Sequence, residues 1–533
     1  MDYRDWIAPE NYNLTMEIER HDPEKLALVY LDESGHEEQI TYGELTKQMN
    51  KLAALLNQLG LVKGDRVLVM IPRRIISYVI YLACMKLGLA VIPSSQMLRA
   101  KDLSYRIRHA EAKAVIAWPE GIEEVEQIEE ELPSLQYRLT LDNNGHQDSW
   151  LNLVKLMDEQ QELSTVPLPT HRDDMAILAY TSGTTGNPKG VIHRHGWGYA
   201  HLRITSSWLD IKESDFVWAT AAPGWQKWIW SPFLSVLGRG ATGFVYDGTF
   251  KPKRYLELIQ KYRIQVMCCT PTEYRLMAKT SGIEHYDLSS LRTAVSAGEP
   301  LNQEVIQTFH KYFGIAIRDG YGQTESTLLI GNLTDTKLKI GSMGKAISPG
   351  LVEVVNEKGK VAAPGEVGDI AVHISMPALF ESYYKAPERK AAAIHGEYFI
   401  TGDRAYKDEE GYFWFEGRGD DIIISSGYTI GPFEVEEALM KHEAVKECAA
   451  VASPDETRGH VVKAFIVLKD GVQASDELVR ELQDHVKHCT APYKYPRRIE
   501  FIEDLPKTSS GKIRRIELRE QEKRRAESAA KEA

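Results

Sequence analysis

The run Thr181-Ser-Gly-Thr-Thr-Gly-Asn-Pro-Lys-Gly190, preceded by apolar Met175–Tyr180, is built to meet an anion. Its glycines let backbone N–H groups approach a phosphate closely. Thr181, Ser182, Thr184 and Thr185 add hydroxyl donors, and Lys189 adds positive charge. That inventory suits a triphosphate. It is not a Walker A loop, because Gly186 is followed by Asn-Pro-Lys-Gly rather than by Lys and a hydroxyl residue. A Gly/Ser/Thr run alone is equally a flexible surface loop. The full string, ending in Pro-Lys-Gly after a strand, is more specific.

Four further strings follow in order: Ser296-Ala-Gly-Glu-Pro300, Asp319-Gly-Tyr-Gly-Gln-Thr-Glu-Ser326, Thr401-Gly-Asp403 with Gly417-Arg418, and Pro506-Lys-Thr-Ser-Ser-Gly-Lys512. Each has a plain reading on its own. Glu299 sits in a loop, Glu325 is an acid after a turn, Arg418 could hold a structural ion pair, and Lys512 begins a basic tail. Together they resemble the motifs of the adenylate-forming, or AMP-binding, superfamily, and the resemblance covers nearly the whole chain.

The resemblance implies roles. Thr181, Ser182, Gly183, Thr184, Thr185 and Lys189 would cradle ATP phosphates. Gly298, Glu299 and Pro300 would border the adenine, with Asp319, Gly320, Tyr321, Gly322 and Thr324 forming the second nucleotide motif. Tyr321 offers a flat face and Thr324 a hydroxyl. Glu325 would ligand Mg²⁺, which favours carboxylate plus phosphate oxygens. Asp403 would accept from the ribose hydroxyls, and the Arg418 guanidinium fork would pair with an oxyanion. Lys512 would be the catalytic lysine, offsetting charge as a carboxylate attacks the α-phosphate. Asp420 falls where the family places its hinge, although it could equally cap a turn.

Two segments point to coenzyme A as acceptor. Ser425–Glu436 resembles the acyl-CoA synthetase version of this region, with Ser426 and Gly427 toward the pantetheine. Ala491–Pro496 is similar to medium-chain and benzoate-type acyl-CoA ligases. Thr429 departs from the pattern, since many relatives carry an arginine there. Acetate-specific relatives close their acyl pocket with a Trp at the position of Gly322, so glycine implies room for a longer or aromatic acid. Trp225 is the gate candidate; Trp228 and Trp230 read first as packing. The expected activity is ATP-dependent acyl-CoA formation through an acyl-adenylate, using ATP, Mg²⁺ and coenzyme A with a small carboxylic acid. The alternatives are an enzyme that loads a carrier protein and a non-catalytic adenylate- or acyl-binding homologue.

These residues must be held by elements the sequence also marks. Strand candidates such as Arg66–Ile71, Ala90–Pro93, Lys113–Ala117 and Val266–Cys269 alternate with helical periodicity. That rhythm predicts an α/β fold with parallel sheets flanked by helices. From about residue 335 glycines, prolines and short alternating strands predict a small β-rich subdomain. The expected division is an AMP-binding domain over 1–419, containing that subdomain at about 335–419, then a small mobile α+β domain over 420–533. The end, from about Arg519, is charged and alanine-rich and reads as a frayed helix or disorder.

The 533 residues are 43% hydrophobic and 26% charged, enough for a large core, with net charge −12. An acidic balance argues against a nucleic-acid partner. The five cysteines show neither disulfide nor zinc spacing, which suits a reducing compartment. The N-terminus lacks the basic start and apolar run of a signal peptide. The longest apolar stretch, Ile75–Pro93, is broken by Lys86 and Gly88 and reads as a helix then a strand, not a membrane span. The expectation is a cytoplasmic protein.

Overall fold

The computed structural model describes residues 3–141, 149–159, 170–181, 188–299, 301–419, 421–425, 428–455, 459–490, 492–507 and 512–532. The chain forms two compact units. The first comprises residues 1–340 and 373–394, the second 341–372 and 395–533. The boundary expected at residue 420 therefore lies within the second unit.

Parallel sheets dominate the first unit. One has the spatial order Leu151–Asn152, Tyr137–Thr140, Ala114–Ala117, Arg66–Met70, Ala90–Pro93, Met175–Thr181 and Lys189–Arg194. All neighbours are parallel except the last pair, an antiparallel hairpin that sets Thr181 opposite Lys189. The strands are short and apolar, as sheets covered on both faces require. Helix Ile75–Lys86 buries ten of its twelve residues, so it is a core helix that is apolar all round.

A second set of strands runs Ile317–Gly322, Thr293–Ala297, Val266–Cys269, Phe216–Ala219, Thr242–Asp247 and Leu26–Asp32, all parallel. Leu328–Gly331 and Glu37–Thr41 continue this run antiparallel at its two ends. Parallel pairing has a functional consequence. The carboxyl ends at Ala219, Cys269, Ala297 and Gly322 all open on one side, where ligands of such sheets bind. The core beneath includes Trp218, Phe244, Leu256, Tyr274 and Phe309. Burying a residue of this size stabilises by about 1.5–3 kcal/mol.

In the second unit, Val352–Val355 pairs antiparallel with Gly368–His373, and Tyr398–Lys407 with Tyr412–Arg418. The C-terminal segment packs helices Pro432–Met440 and Asp476–Cys489 on strands Val445–Asp455, Gly459–Leu468 and Arg498–Phe501. The tail is helical, one of the two expected states, but docked rather than frayed. Arg515–Glu532 is a helix, docked by Leu518 in an apolar cluster and by Glu522. The Glu522 carboxylate accepts from Lys463 Nζ and Ser453 Oγ, both at 2.7 Å. No helix among the described residues is long and apolar enough to cross a membrane.

Candidate active site

Lys189 opens the second strand of the hairpin, so its position is fixed by pairing with Thr181. Its ammonium lies 5.2 Å from the centroid of the Tyr383 ring. The Tyr383 hydroxyl donates to Glu325 Oε1 at 2.9 Å. Tyr383 is itself anchored by a bridge to Val191, two residues beyond Lys189, and the Phe380 amide donates to the Glu325 carbonyl at 2.7 Å. One segment, Phe380–Tyr384, thus ties the Thr181/Lys189 hairpin to the Asp319–Ser326 motif. Sequence reasoning missed Tyr383, which lies 58 positions from Glu325.

Asp319–Ser326 leaves strand Ile317–Gly322 through a tight turn into Leu328–Gly331. A buried column holds that turn from below. His193 Nε2 bonds the Thr324 carbonyl at 2.7 Å, Trp197 Nε1 donates to the Ser326 carbonyl at 3.0 Å, and His201 Nδ1 bonds Thr327 Oγ1 at 2.5 Å. The rings pack in succession, with centroids 4.6 and 5.2 Å apart. Trp197 and His201, four apart on helix His195–Ile204, share one face, which is the one sequence signal available; His193 comes from the preceding strand Lys189–Arg194. Burial pushes His193 down to about 3 and His201 to about 4, so both rings are neutral.

Asp319 is buried and its carboxylate accepts from the Gly320 amide at 2.9 Å. Burial still prevails and pushes it up to about 7. Tyr321 is half-buried and faces Ile330 across the strand pair. At Gly322 an added Cβ would meet the Thr327 carbonyl oxygen at 2.1 Å, where the register shifts. The turn therefore demands glycine for its own reasons, beside any room left for an acyl group. The same Cβ would lie 3.1 Å from Trp230.

Gly298 has φ +111°, which suits the turn leaving strand Thr293–Ala297, and Glu299 Oε2 accepts from Thr272 Oγ1 at 3.4 Å. Trp225 is half-buried at the start of the helical segment Gln226–Trp228. Lys227 Nζ donates to the Ala297 carbonyl at 2.7 Å, joining this segment to the Gly298 turn. Trp228 is 1% exposed and stacks on Phe233, which bears out its reading as packing.

In the second unit Asp403 is buried opposite Arg418 on the neighbouring strand, with Nε to Oδ1 at 3.8 Å. Arg418 is half exposed, so the pair is loose rather than a closed structural bridge. Asp421 pairs with Arg519 of the terminal helix. Thr429 pairs with Ile424 in a short hairpin. Lys512 is exposed beside the bridge between Lys507 and Ile513. Ser182, Gly183, Thr184, Thr185, Pro300, Asp420, Ser426 and Gly427 lie outside the described residues.

A single carboxylate with one oxygen held by Tyr383 is a donor set that fits Mg²⁺, which takes one or two carboxylates and fills its remaining positions with phosphate oxygens and water. Lys189, over the face of the same ring, adds a positive charge close by.

The AMP-binding enzyme family matches residues 16–384, and the AMP-binding enzyme C-terminal domain matches 434–512. The chain is 59% identical over 521 residues to the uncharacterized acyl-CoA ligase YtcI of Bacillus subtilis strain 168, covering 97% of each. It is 40% identical over 505 residues to the mitochondrial acyl-coenzyme A synthetase ACSM3 of Mus musculus, covering 93% of this chain and 86% of that protein. The crystal structure of the anthranilate CoA ligase AuaEII with anthranoyl-AMP superimposes with a TM-score of 0.90 at 29% identity, covering 99% of this chain and 100% of that one.

Proposed function

Because the chain belongs to the AMP-binding enzyme family, we propose that it is an ATP-dependent acyl-CoA ligase acting on a medium-chain or aromatic carboxylic acid. The observation that supports this reading is that one residue, Tyr383, carries Lys189 over its ring face and Glu325 on its hydroxyl.

In the first step a carboxylate oxygen attacks the α-phosphorus of ATP and pyrophosphate leaves. Lys189 binds the phosphates, and Tyr383 holds the Glu325 carboxylate for the cation that accompanies them. Mg²⁺, when bound, neutralises phosphate charge. Tyr321 takes the adenine face, Asp403 the ribose and Arg418 an oxyanion, while Lys512 offsets charge on the attacking carboxylate and the α-phosphate. In the second step the coenzyme A sulfur attacks the acyl carbon, its proton goes to solvent, and AMP leaves. Residues 420–533 rotate about Asp420 between the steps, and Ser426 and Gly427 line the thiol's approach. Trp225 and Gly322 border the acyl group. The five free cysteines, four of them buried, support a reducing cytoplasm.

The test is a panel of aliphatic and aromatic acids. Acid-dependent exchange of labelled pyrophosphate into ATP, followed by thioester formation with free coenzyme A, is the expected result. Exchange with no acid would contradict the proposal. Exchange without any thioester to free coenzyme A would replace the ligase by a carrier-loading enzyme.

A further inference from the structure

Gln226 and Trp230 lie four residues apart, in a helical segment that begins at Gln226–Trp228 and continues with a π-helical wind over Ile229–Ser235. Residues at that spacing share a helix face, and π-helical turns concentrate at functional sites. Gln226 is 9% exposed and Trp230 7%. Among the described residues, neither Nε2 nor Oε1 of Gln226 has a hydrogen-bond partner, and Trp230 Nε1 has none either. Buried amide and indole groups are nearly always satisfied, so two unsatisfied on one face call for an explanation.

Their surroundings give it. The Trp230 ring rests against Gly322, the residue taken to border the acyl group. Its backbone is fixed, since the Trp230 carbonyl is bonded by His201 Nε2 at 2.9 Å. Lys227, between the two, spends its ammonium on the Ala297 carbonyl at 2.7 Å. This face therefore offers an indole donor, an amide donor and an amide acceptor, without a cation for a second carboxylate.

We infer that Gln226 and Trp230 form a polar subsite in the acyl pocket, selecting acids that carry a neutral hydrogen-bonding substituent away from the carboxylate. A hydroxyl, amino or oxo group has the right chemistry. The inference rests on the proposed ligase activity and names its substrate class more narrowly. A pocket built to bond such a group penalises the acid lacking it far more than a hydrocarbon pocket penalises an added hydroxyl.

The experiment measures kcat/KM for benzoate and octanoate against their hydroxy-, amino- and oxo-substituted forms, in the wild type, Gln226→Leu and Trp230→Phe. The expected result is that at least one substituted acid exceeds its parent by about tenfold or more, and that Gln226→Leu brings the ratio toward one. Trp230→Phe, which keeps the ring and removes the N–H, should lower the same ratio and decides the matter if Gln226→Leu does not fold. Parents turned over as well as every substituted acid would overturn the inference and leave the ligase reading intact. So would a preference that both variants preserve. Turnover of no acid at all would overturn both.

Discussion

At the residue scale the candidate chemistry was legible where side-chain type and local spacing coincide. Lys189, Glu325 and Asp403 each sit in a string whose neighbours reinforce it. Tyr383 was not legible, because its role comes from a strand bridge to Val191 that no local pattern reports. Gly322 was half legible: sequence offered pocket room, while the structure adds a carbonyl that tolerates no Cβ. Tyr383 carries a direct prediction. Its hydroxyl donates to a carboxylate, and such bonds contribute about 1.5–3 kcal/mol. Tyr383→Phe should lower kcat/KM for MgATP by about ten- to a hundredfold with little change in the thermal midpoint. Unchanged kinetics would remove Tyr383 from the site. Lys512→Ala should abolish pyrophosphate exchange yet leave thioester formation from supplied acyl-AMP; equal loss of both would contradict its assigned step.

At the scale of elements, the short buried strands were readable from apolar runs, as at Val266–Cys269. The docking of the terminal helix was not. Its surface is charged, and it is docked by Leu518, by the buried Glu522–Lys463 pair and by ion pairs of Arg515 with Glu436, Arg519 with Asp421 and Arg525 with Glu500, long-range partnerships that local composition hides. The column of His193, Trp197 and His201 under the Thr324 turn makes a prediction about pH. His195, also buried, is pushed down to about 4. All three histidines take protons more readily when unfolded, with an ordinary value near 6.5. Their contribution is complete above pH 6.5 and is lost as pH falls toward 4, each by about 1.4 kcal/mol per pH unit. Asp319 acts oppositely, since its raised value favours the folded state as pH falls from about 7 toward 3.8. One proton against three leaves a net loss on acidification. Denaturant titrations between pH 4.5 and 6.5 should show this slope, and His193→Gln, which can still donate to the Thr324 carbonyl, should flatten it by about 1.4 kcal/mol per pH unit. An unchanged slope in the variant would refute the account.

At the scale of the whole molecule, the alternation of strands and helices gave the α/β class, and parallel pairing explains why the Gly298 turn and the Asp319–Ser326 motif lie side by side. Loops at the carboxyl ends of neighbouring strands must emerge together, whatever their separation in sequence. The division into compact units was less legible. The β-rich segment 341–372 packs with the C-terminal residues, a choice made by antiparallel pairing rather than by composition. The central claim is that the carboxylate becomes joined to AMP before it meets a thiol. An acid labelled with oxygen-18 in its carboxylate, incubated with ATP, Mg²⁺, coenzyme A and the protein, tests it most directly. The account predicts one labelled oxygen in the released AMP, because the oxygen that attacked phosphorus leaves with it. Thioester formed with unlabelled AMP would contradict it.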